Sequence, residues 1–426
     1  MFSFTALIDS ANGFLMNTVG VGSIVGQGLR LLILFTMFFV MLLFHEKGTL
    51  TWSYLVIYLL VILQFIYGFN KSLSPLISDL MEVSKVIFII LIIQAFINLF
   101  NQKKITIDTI EKIFKISVLL FPLLIIIPKV FGVGYSMYAN NTGFSGFFSA
   151  ANDLNVVLLV MLVFSLDAFF NNLETRKKRK YYIVTTFMLI FSLILMGSKS
   201  SMGIGSIIIF IYLFKFLIKS DFGTKLKVLL SLIVVGSVSY TIINNFYYND
   251  VQLALDRHTY FLNTADGDLA SFLLTNRNSF FDASVQNLKS SDSILGETLI
   301  GKGKTQHMKD TGGSLNFESK DIEMDLFDVF FSYGLLGVFL IYSYFSGFII
   351  LAFKSINGNF KYSFSLLVMA AYSFFGGHVL FSALSGTFLA LLCCGLYASF
   401  VACKEESLLN RKEVGTNKNV HIGNVM

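Results

Sequence analysis

The stretch that decides the fold is residues 76–100, which read LISDLMEVSKVIFIILIIQAFINLF. A helix of these 25 residues would be roughly 38 Å long, enough to cross a hydrocarbon core of roughly 30 Å. After Lys85 the run is apolar apart from Gln94 and Asn98. We therefore predict that this segment spans a membrane.

Similar stretches recur along the whole chain. Of its 426 residues, 55% are apolar, 47 are Phe and only 14% are charged, and the mean hydropathy is +0.72, which is typical of polytopic membrane proteins. Eleven spans are predicted: Leu31–Phe44, Leu50–Phe69, Leu76–Phe100, Ile113–Phe131, Leu154–Phe170, Tyr181–Gly197, Met202–Ile218, Val228–Ile243, Leu326–Phe353, Ser363–Val379 and Phe381–Cys403. Residues 1–29 form either a twelfth span or an interfacial helix. The predicted fold is an all-α polytopic integral membrane protein, with residues 1–426 as one membrane domain of 11–12 transmembrane helices.

The distribution of Lys and Arg predicts the orientation, because basic loops stay in the cytoplasm. Alternate loops and the C-terminal tail contain 18 of the 32 basic residues, whereas the short loops of opposite parity contain three: Lys71, Lys129 and Lys199. We read the basic run Arg176–Lys180 as part of this signal and not as a nucleic-acid site. The tail, residues 404–426, is therefore expected in the cytoplasm, and residues 244–325 on the outer side.

Residues 244–325 form one large polar loop in an otherwise apolar chain. This outer loop contains 12 acidic and 7 basic residues, so its net charge is −5 while the remainder of the chain is +11. It contains no cysteine, since Cys393, Cys394 and Cys403 all lie at or near the last span, so no disulfide framework is expected and no spacing suggests a metal site. An anion bound at this face would need a few well-placed cations.

Arg277 is the best-placed cation of the outer loop. Apolar side chains recur at helical spacing in residues 271–289: Leu274, Phe281, Val285 and Leu288. Arg277 lies on the same face. Its guanidinium either snorkels to lipid headgroups with its stem on Phe281, or docks with the stripe on the bundle and binds a phosphate in its planar fork. Arg257, beside His258, is a second candidate cation.

The end of the outer loop is unusually acidic. On a helix Asp321, Asp325, Asp328 and Ser332 would share one face, with Glu323 on another. The helix macrodipole favours acids at a helix start and explains Asp321 and Asp325. Asp328 lies about one turn inside the apolar run, where a charge is costly and therefore indicates function.

Other ionisable residues cluster at the same outer level of the spans. They are Arg30, Asp79, Glu82, Lys85, Asp153 and Lys199. Glu82 and Lys85 form either an internal neutral pair or part of a site. His378, after Gly376 and Gly377, is either a hydrogen-bonded packing residue or a base, since an imidazole pKa of about 6.5 suits proton transfer.

Taken together, these features resemble the superfamily of O-antigen polymerases and O-antigen ligases. The resemblance extends from about Phe131 to Leu396 and rests on an ordered set of short motifs. These are Gly143–Phe148 with Asn152 and Asn155, the turn Gly197–Ser200, Arg257, Arg277, Gly301–Gly303, Glu323, Asp325 and Tyr333–Gly337. The turn has Lys199 where the family pattern has arginine.

The resemblance implies a GT-C-like glycosyltransferase whose donor is a polyprenyl-diphosphate-linked oligosaccharide. Cations would hold the pyrophosphate leaving group, and the candidates are Arg277, Arg257, Lys199 and Arg30. A base would take the proton of the acceptor hydroxyl, and the candidates are Glu323, Asp325 and His378. Because the bond energy lies in the pyrophosphate linkage, no cofactor is expected, and no metal is implied.

Within the superfamily we favour a surface-polysaccharide polymerase over an O-antigen ligase. Ligases carry a histidine where the loop approaches the following span, whereas here that stretch has Glu323 and Asp325, and His307 lies upstream. The setting implied is a bacterial inner membrane, with a chain-length regulator and a flippase as partners and no nucleic acid. Two other classes remain open: a flippase or transporter, which should place ionisable groups near the bilayer midplane, and a structural membrane subunit.

Overall fold

The computed structural model describes residues 2–20, 24–44, 52–68, 73–137, 142–171, 176–219, 248–264 and 277–420, together with short pieces between 221 and 274. Within these residues the secondary structure is helical, and the one β contact is an isolated bridge between Ser136 and Phe144. The fold is all-α, as the composition predicts.

We number the longer described helices in chain order. They are α1 (Thr5–Phe14), α2 (Ile24–Leu43), α3 (Trp52–Gly68), α4 (Leu73–Asn101), α5 (Ile107–Val130), α6 (Ala151–Asn171), α7 (Arg176–Met196), α8 (Lys199–Lys219), α9 (Tyr248–Thr264), α10 (Arg277–Lys289), α11 (Ile294–Ile300), α12 (Lys304–Gly313), α13 (Asp325–Ser355), α14 (Phe360–Phe375) and α15 (Ala383–Val420). Helices α9 to α12 belong to the outer loop.

Eight of these helices are long and apolar enough to cross a membrane, namely α2, α4 to α8, α13 and α15. Helices α3 and α14 are shorter apolar helices. Together they coincide with ten of the eleven predicted spans, while Val228–Ile243 lies almost entirely outside the described residues. The chain is therefore a multi-pass membrane protein.

The N-terminal segment forms an element separate from the first long span. Helix α1 continues as a π-helical stretch, Leu15–Val19, and ends at Gly20, whose φ of 70° is left-handed. The amide of Gly26 in α2 donates to Asn12 Oδ1 of α1 at 2.9 Å. This segment is not among the eight long apolar helices, and it packs beside the start of α2.

Helix α13 is broken at Gly334, which corrects the expectation of a continuous span from Leu326. Gly334 has φ 65° and ψ −169°, and the backbone of Leu299 and Ile300 packs where a side chain would be. The carbonyl of Ser332 accepts a hydrogen bond from the Gly303 amide at 2.9 Å instead of continuing the helical ladder. Residues 325–333 therefore form a short helix of their own, which is joined to the outer loop.

The outer loop packs on this short helix. Side chains of the stripe predicted around Arg277 surround the buried Ile322, Met324 and Phe331, and include Leu274, Phe281, Val285 and Leu288. The described part of the helix that carries the stripe is Arg277–Lys289, and most of residues 271–276 lie outside the described residues. Asp79 of α4 accepts a hydrogen bond from the Thr305 amide at 2.7 Å, so a long apolar helix also caps α12. These contacts hold the outer loop against the membrane-spanning bundle.

Candidate active site at the seam between loop and bundle

Glu323 lies at the centre of a charged cluster where the outer loop meets the bundle. Its Oε1 is 2.5 Å from Lys320 Nζ and 3.8 Å from His378 Nε2, and its Oε2 is 3.2 Å from Arg277 Nη2. The side chains are partly accessible, with 20% of Glu323 and 32% of His378 exposed. We call this group, Arg277, Lys320, Glu323 and His378, the seam cluster.

Arg277 connects three segments at the seam cluster. Its Nε donates to the carbonyl of Glu323 at 3.1 Å, and its Nη2 donates to the Glu323 carboxylate and, at 3.4 Å, to the carbonyl of Gly376. Its Nη1 donates to the Leu274 carbonyl at 3.4 Å. The structure shows the stripe docked on the protein with the guanidinium directed inward, and the binding of a phosphate by Arg277 stays a prediction.

The charges of Glu323 and His378 stabilise each other. Burial alone would raise the pKa of Glu323, but His378 and Lys320 lower it to about 2. Burial alone would lower the pKa of His378, but Glu323 and Asp153 raise it to about 9. At neutral pH the resting pair is therefore a carboxylate and an imidazolium, and the proton acceptor of the two is Glu323.

Lys199 and Arg257 lie near the same cluster. Lys199 begins α8, and the charges of Arg257 and Arg277 both act on it. Ser198 caps this helix by accepting a hydrogen bond from the Ser201 amide at 3.0 Å. The structure thus brings together three of the four cations that the sequence singled out in separate segments of the chain.

Arg30 is placed differently from the other predicted cations. Its Nη2 is 2.6 Å from Asp9 Oδ1, which lies on α1. Asp153, on the first turn of α6, interacts electrostatically with both Arg30 and His378 and accepts a hydrogen bond from Ser382 Oγ. Within the described part of the chain, Asp153 links Arg30 to the seam cluster.

Asp325 is buried below the seam cluster. Its Oδ2 accepts hydrogen bonds from Ser373 Oγ at 2.6 Å and from the amides of Val379 and Leu380 at 2.9 and 3.1 Å. The side chain is fully enclosed. Of the three predicted bases, the structure groups Glu323 with His378 and places Asp325 behind them.

A second charged group, which the sequence did not reveal, lies on the other side of the segment that carries Glu323. Lys304 Nζ is 2.6 Å from Asp321 Oδ1 and 3.4 Å from Asp328 Oδ1, and His307 Nε2 is also 3.4 Å from Asp328 Oδ1. Lys304 and His307 are completely buried. We call Lys304, His307, Asp321 and Asp328 the buried cluster.

The carboxylates and imidazole of the buried cluster lie close enough together to suggest a metal site. The ammonium of Lys304 is the cation between the two carboxylates, however. Burial by itself would lower the pKa of Lys304, but Asp321 and Asp328 raise it above its ordinary value, so the amine is charged. We therefore interpret the buried cluster as an internal ion-pair network.

One pattern in the sequence could have indicated the buried cluster. Lys304, His307 and Thr311 recur at spacings of three and four, and all are fully buried on one face of α12.

The prediction that Asp321 and Asp325 share a helical face was wrong, because α13 begins only at Asp325. Lys85 Nζ lies 2.6 Å from Glu82 Oε1, so these residues form the internal pair that was one of the two alternatives.

A large cavity of about 1020 Å³ lies away from both clusters, between α5, α6 and α7. Its charged lining balances, with three acidic and three basic side chains: Asp108, Glu111, Asp167, Lys112, Lys115 and Lys361. Lys361 already pairs with Glu111 at 2.5 Å. These features select no ligand class, so size alone does not make this cavity the functional site.

Residues 254–402 match the family described as O-antigen ligase like membrane protein. The match covers about a third of the 426-residue chain. The matched segment includes Arg257 and the whole seam cluster, but not Lys199 or Arg30. The match confirms the resemblance at the level of the superfamily of glycan-transferring membrane proteins, and it does not separate polymerase from ligase. Among individually curated proteins, none matches the chain.

Proposed function

We propose that this O-antigen ligase-like protein is a polymerase that joins oligosaccharide repeat units carried on a polyprenyl diphosphate. The observation that carries the proposal is the seam cluster, where Arg277, Lys320 and His378 surround a single carboxylate, Glu323. It lies between the outer loop and the bundle, where a lipid-anchored donor could present its headgroup.

The charge balance at the seam favours an anionic ligand. The outer loop as a whole is acidic, with a net charge of −5. Its cations Arg257 and Arg277 nevertheless lie near Lys199, and its Lys320 pairs with Glu323. Each cation acts more strongly in this half-buried setting than in water. A diphosphate would meet a surplus of positive charge here, since Glu323 is the carboxylate at the centre of these cations.

The reaction replaces a glycosyl–phosphate bond with a glycosidic bond. The acceptor hydroxyl attacks the anomeric carbon, a new C–O bond forms, and the bond from that carbon to the pyrophosphate oxygen breaks. Arg277 and Lys199 would stabilise the charge that develops on the departing diphosphate. The hydroxyl proton goes to the Glu323–His378 pair.

Donor binding would also prepare the base. A diphosphate on Arg277 would compete with Glu323 for the guanidinium, and its negative charge beside the carboxylate would raise the pKa of Glu323 from about 2. A carboxylate with a higher pKa is a stronger proton acceptor. Asp325 is poorly placed to act as the base, because its carboxylate is enclosed and already accepts three hydrogen bonds.

The membrane setting follows from the same proposal. The donor is delivered by a flippase to the outer face of a bacterial inner membrane, the outer loop faces away from the cytoplasm, and the C-terminus lies inside. A chain-length regulator would act on the growing polymer. The distribution of Lys and Arg supports this orientation, and the resemblance to the superfamily supports these partners.

An O-antigen ligase, which transfers glycan to a lipid core, is the second candidate, since the matching family is named for that activity. His307 lies closer to the following span than its position in the sequence suggested, 3.4 Å from Asp328. It is nevertheless completely buried and stacked on Phe331 with ring centroids 5.5 Å apart. It therefore presents no base to an acceptor, which favours the polymerase.

The test is to reconstitute the purified protein in liposomes with a lipid-linked repeat unit and no lipid-core acceptor. A polymerase extends the repeat unit into a ladder of lengths. A ligase leaves it unchanged until a lipid core is added. The absence of any product with either acceptor, from protein that remains folded, would contradict both assignments.

A further inference from the structure

The two partners of the pair, Glu323 and His378, both have unusual backbones. Their φ angles are 63° and 59°, in the left-handed region that residues with a Cβ rarely adopt. The two segments also touch, because Gly377 packs against the carbonyl of Glu323, where an added Cβ would overlap backbone atoms. Such conformations persist only where the surroundings impose them.

We propose that Asp328 and Asp325, one turn apart on α13, are positioning residues that each hold the backbone around one partner of the Glu323–His378 pair. This inference rests on the proposed function, because it names what orients the site of that reaction. It gives Asp325 a different role from the base that the sequence suggested.

Asp328 acts on Glu323. Its Oδ1 accepts from the Ile322 amide at 3.1 Å, and its Oδ2 accepts from the Met324 amide at 3.2 Å. These are the residues immediately before and after Glu323. A carboxylate that binds both flanking amides sets the backbone between them, and with it the direction of the Glu323 side chain.

Asp325 acts on His378 in a similar way. It accepts hydrogen bonds from the amides of Val379 and Leu380, the two residues that follow His378, and from Ser373 at the end of α14. Ser385 Oγ donates to the carbonyl of His378 at 2.7 Å from the other side. The turn between α14 and α15 is thus attached to the start of α13.

The buried cluster makes the Asp328 contact possible. A lone carboxylate would be very costly to bury, and Lys304 balances it together with Asp321. Asp321 and Asp328 both pair with Lys304. Among the described side chains, only Asp328 accepts hydrogen bonds from the amides on either side of Glu323. Asp321 is therefore the matched control for charge.

The readout is the titration of His378, which needs no substrate. The largest electrostatic contributions to it come from Glu323 on the loop, Asp153 on α6 and Asp325 on α13. The charge of Asp328 is not among them. A substitution at Asp328 should therefore change the pKa of His378 mainly by displacing the Glu323 carboxylate.

The experiment follows the imidazole signals by solid-state NMR of histidine-labelled, full-length protein in bilayers, with His378 assigned among the five histidines by a His378→Gln variant. In the wild type the midpoint should be about 9. In Asp328→Asn, which can accept only one of the two amides, it should fall by more than about one pH unit towards the ordinary value. In Asp321→Asn it should stay near the wild-type value.

Three outcomes would overturn the proposal: no shift in Asp328→Asn, an equal shift in both variants, or a shift only in Asp321→Asn. If Asp328→Asn alone does not accumulate, the triple variant Lys304→Met/Asp321→Asn/Asp328→Asn removes all three charges and still lacks one acceptor. A wild-type midpoint in that triple variant would show that charge balance, and not positioning, is the role of Asp328.

Turnover measurements separate this inference from the proposed function. Asp328→Asn should lower kcat more than it raises KM for the lipid-linked repeat unit, because the donor still meets Arg277 and Lys199. If the titration shifts as expected while wild-type protein forms no polymer, the positioning role stands and the proposed reaction fails. If polymer forms and the titration does not shift, the reverse holds.

Discussion

The seam cluster and the buried cluster use nearly the same residue types on two sides of one segment, yet they are suited to different tasks. Both join a lysine and a histidine to carboxylates. In the seam cluster about a fifth to a third of the Glu323 and His378 side chains is exposed, whereas Lys304 and His307 are completely enclosed. Accessibility separates groups that can bind and react from groups that hold the structure.

The strongest way to break this comparison is Lys304→Met. It leaves the half-buried Asp321 and the buried Asp328 without their lysine, which should destabilise the protein by about 3–5 kcal/mol. The measurement is the unfolding temperature in detergent together with abundance in membranes. Lys320→Met in the seam cluster is the matched control and should cost about 1 kcal/mol or less, since that lysine is partly solvated.

Arg277→Ala should abolish polymer formation, a loss of about 100-fold or more, while the protein remains inserted and abundant. Arg277→Lys should also lose most activity, because an ammonium cannot provide the planar fork of a guanidinium. The measurement is the ladder of polysaccharide lengths in cells that carry only the variant. A normal ladder would refute the role of Arg277.

Replacement of Glu323 by Gln should lower kcat by about 100-fold with little effect on stability, because a neutral amide accepts no proton at neutral pH. His378→Ala should also lower kcat. The exposed Glu318 offers a control of the same chemistry in the same loop, and Glu318→Gln should leave turnover unchanged. Full activity in both Glu323→Gln and His378→Ala would exclude this pair as the proton acceptor.

The Glu323–His378 pair should also produce a specific pH dependence of stability. Because the pKa of His378 is raised to about 9 in the folded state, its contribution is present below the unfolded pKa of about 6.5 and is lost as the pH rises through about 9. The unfolding temperatures of wild type and His378→Gln should therefore differ most near pH 6 and converge above pH 9. A constant difference across this range would mean that the two side chains are not paired.

The smallest expected effect distinguishes two of the predicted cations. Lys199→Ala should reduce polymer formation by about tenfold, equivalent to roughly 1.4 kcal/mol, since Arg257 and Arg277 remain. Arg30→Ala should reduce it less, because Asp9 already pairs with Arg30. If Arg30→Ala reduced polymer yield more than Lys199→Ala, the phosphate site would lie closer to α1 and α2.

Much of the fold could be predicted because membrane spans are determined by local composition. Runs such as residues 76–100 are apolar enough to be recognised without knowing their neighbours. The break at Gly334 could not be predicted in this way, since a single glycine inside an apolar run is compatible with a continuous helix. It breaks because the backbone of Leu299 and Ile300 occupies the space that a straight helix with side chains would need.

Three members of the candidate site, Arg277, Glu323 and His378, were predictable, but the sequence did not single out Lys320 and did not predict the arrangement. Arg277 stood out because its position in an apolar stripe is unusual for a charge, and that stripe does pack on the protein. Asp325 and Asp328 also stood out, but spacing on one helix could not show that one binds the turn after His378 and the other the amides around Glu323. The Asp325 contact joins segments about 50 residues apart in the chain. The Asp328 contact forms within a tight local turn.

The sequence by itself determined that this protein is a helical membrane protein with a large polar loop and several ionisable residues at the ends of its spans, because hydrophobic length and charge are properties of local segments. Only the tertiary structure decided which of those residues face an accessible site and which are enclosed, because that depends on which segments meet. Lys304 and Lys320 illustrate this: both are loop lysines that pair with acids, and only the packing around α12 and α13 separates the buried one from the accessible one.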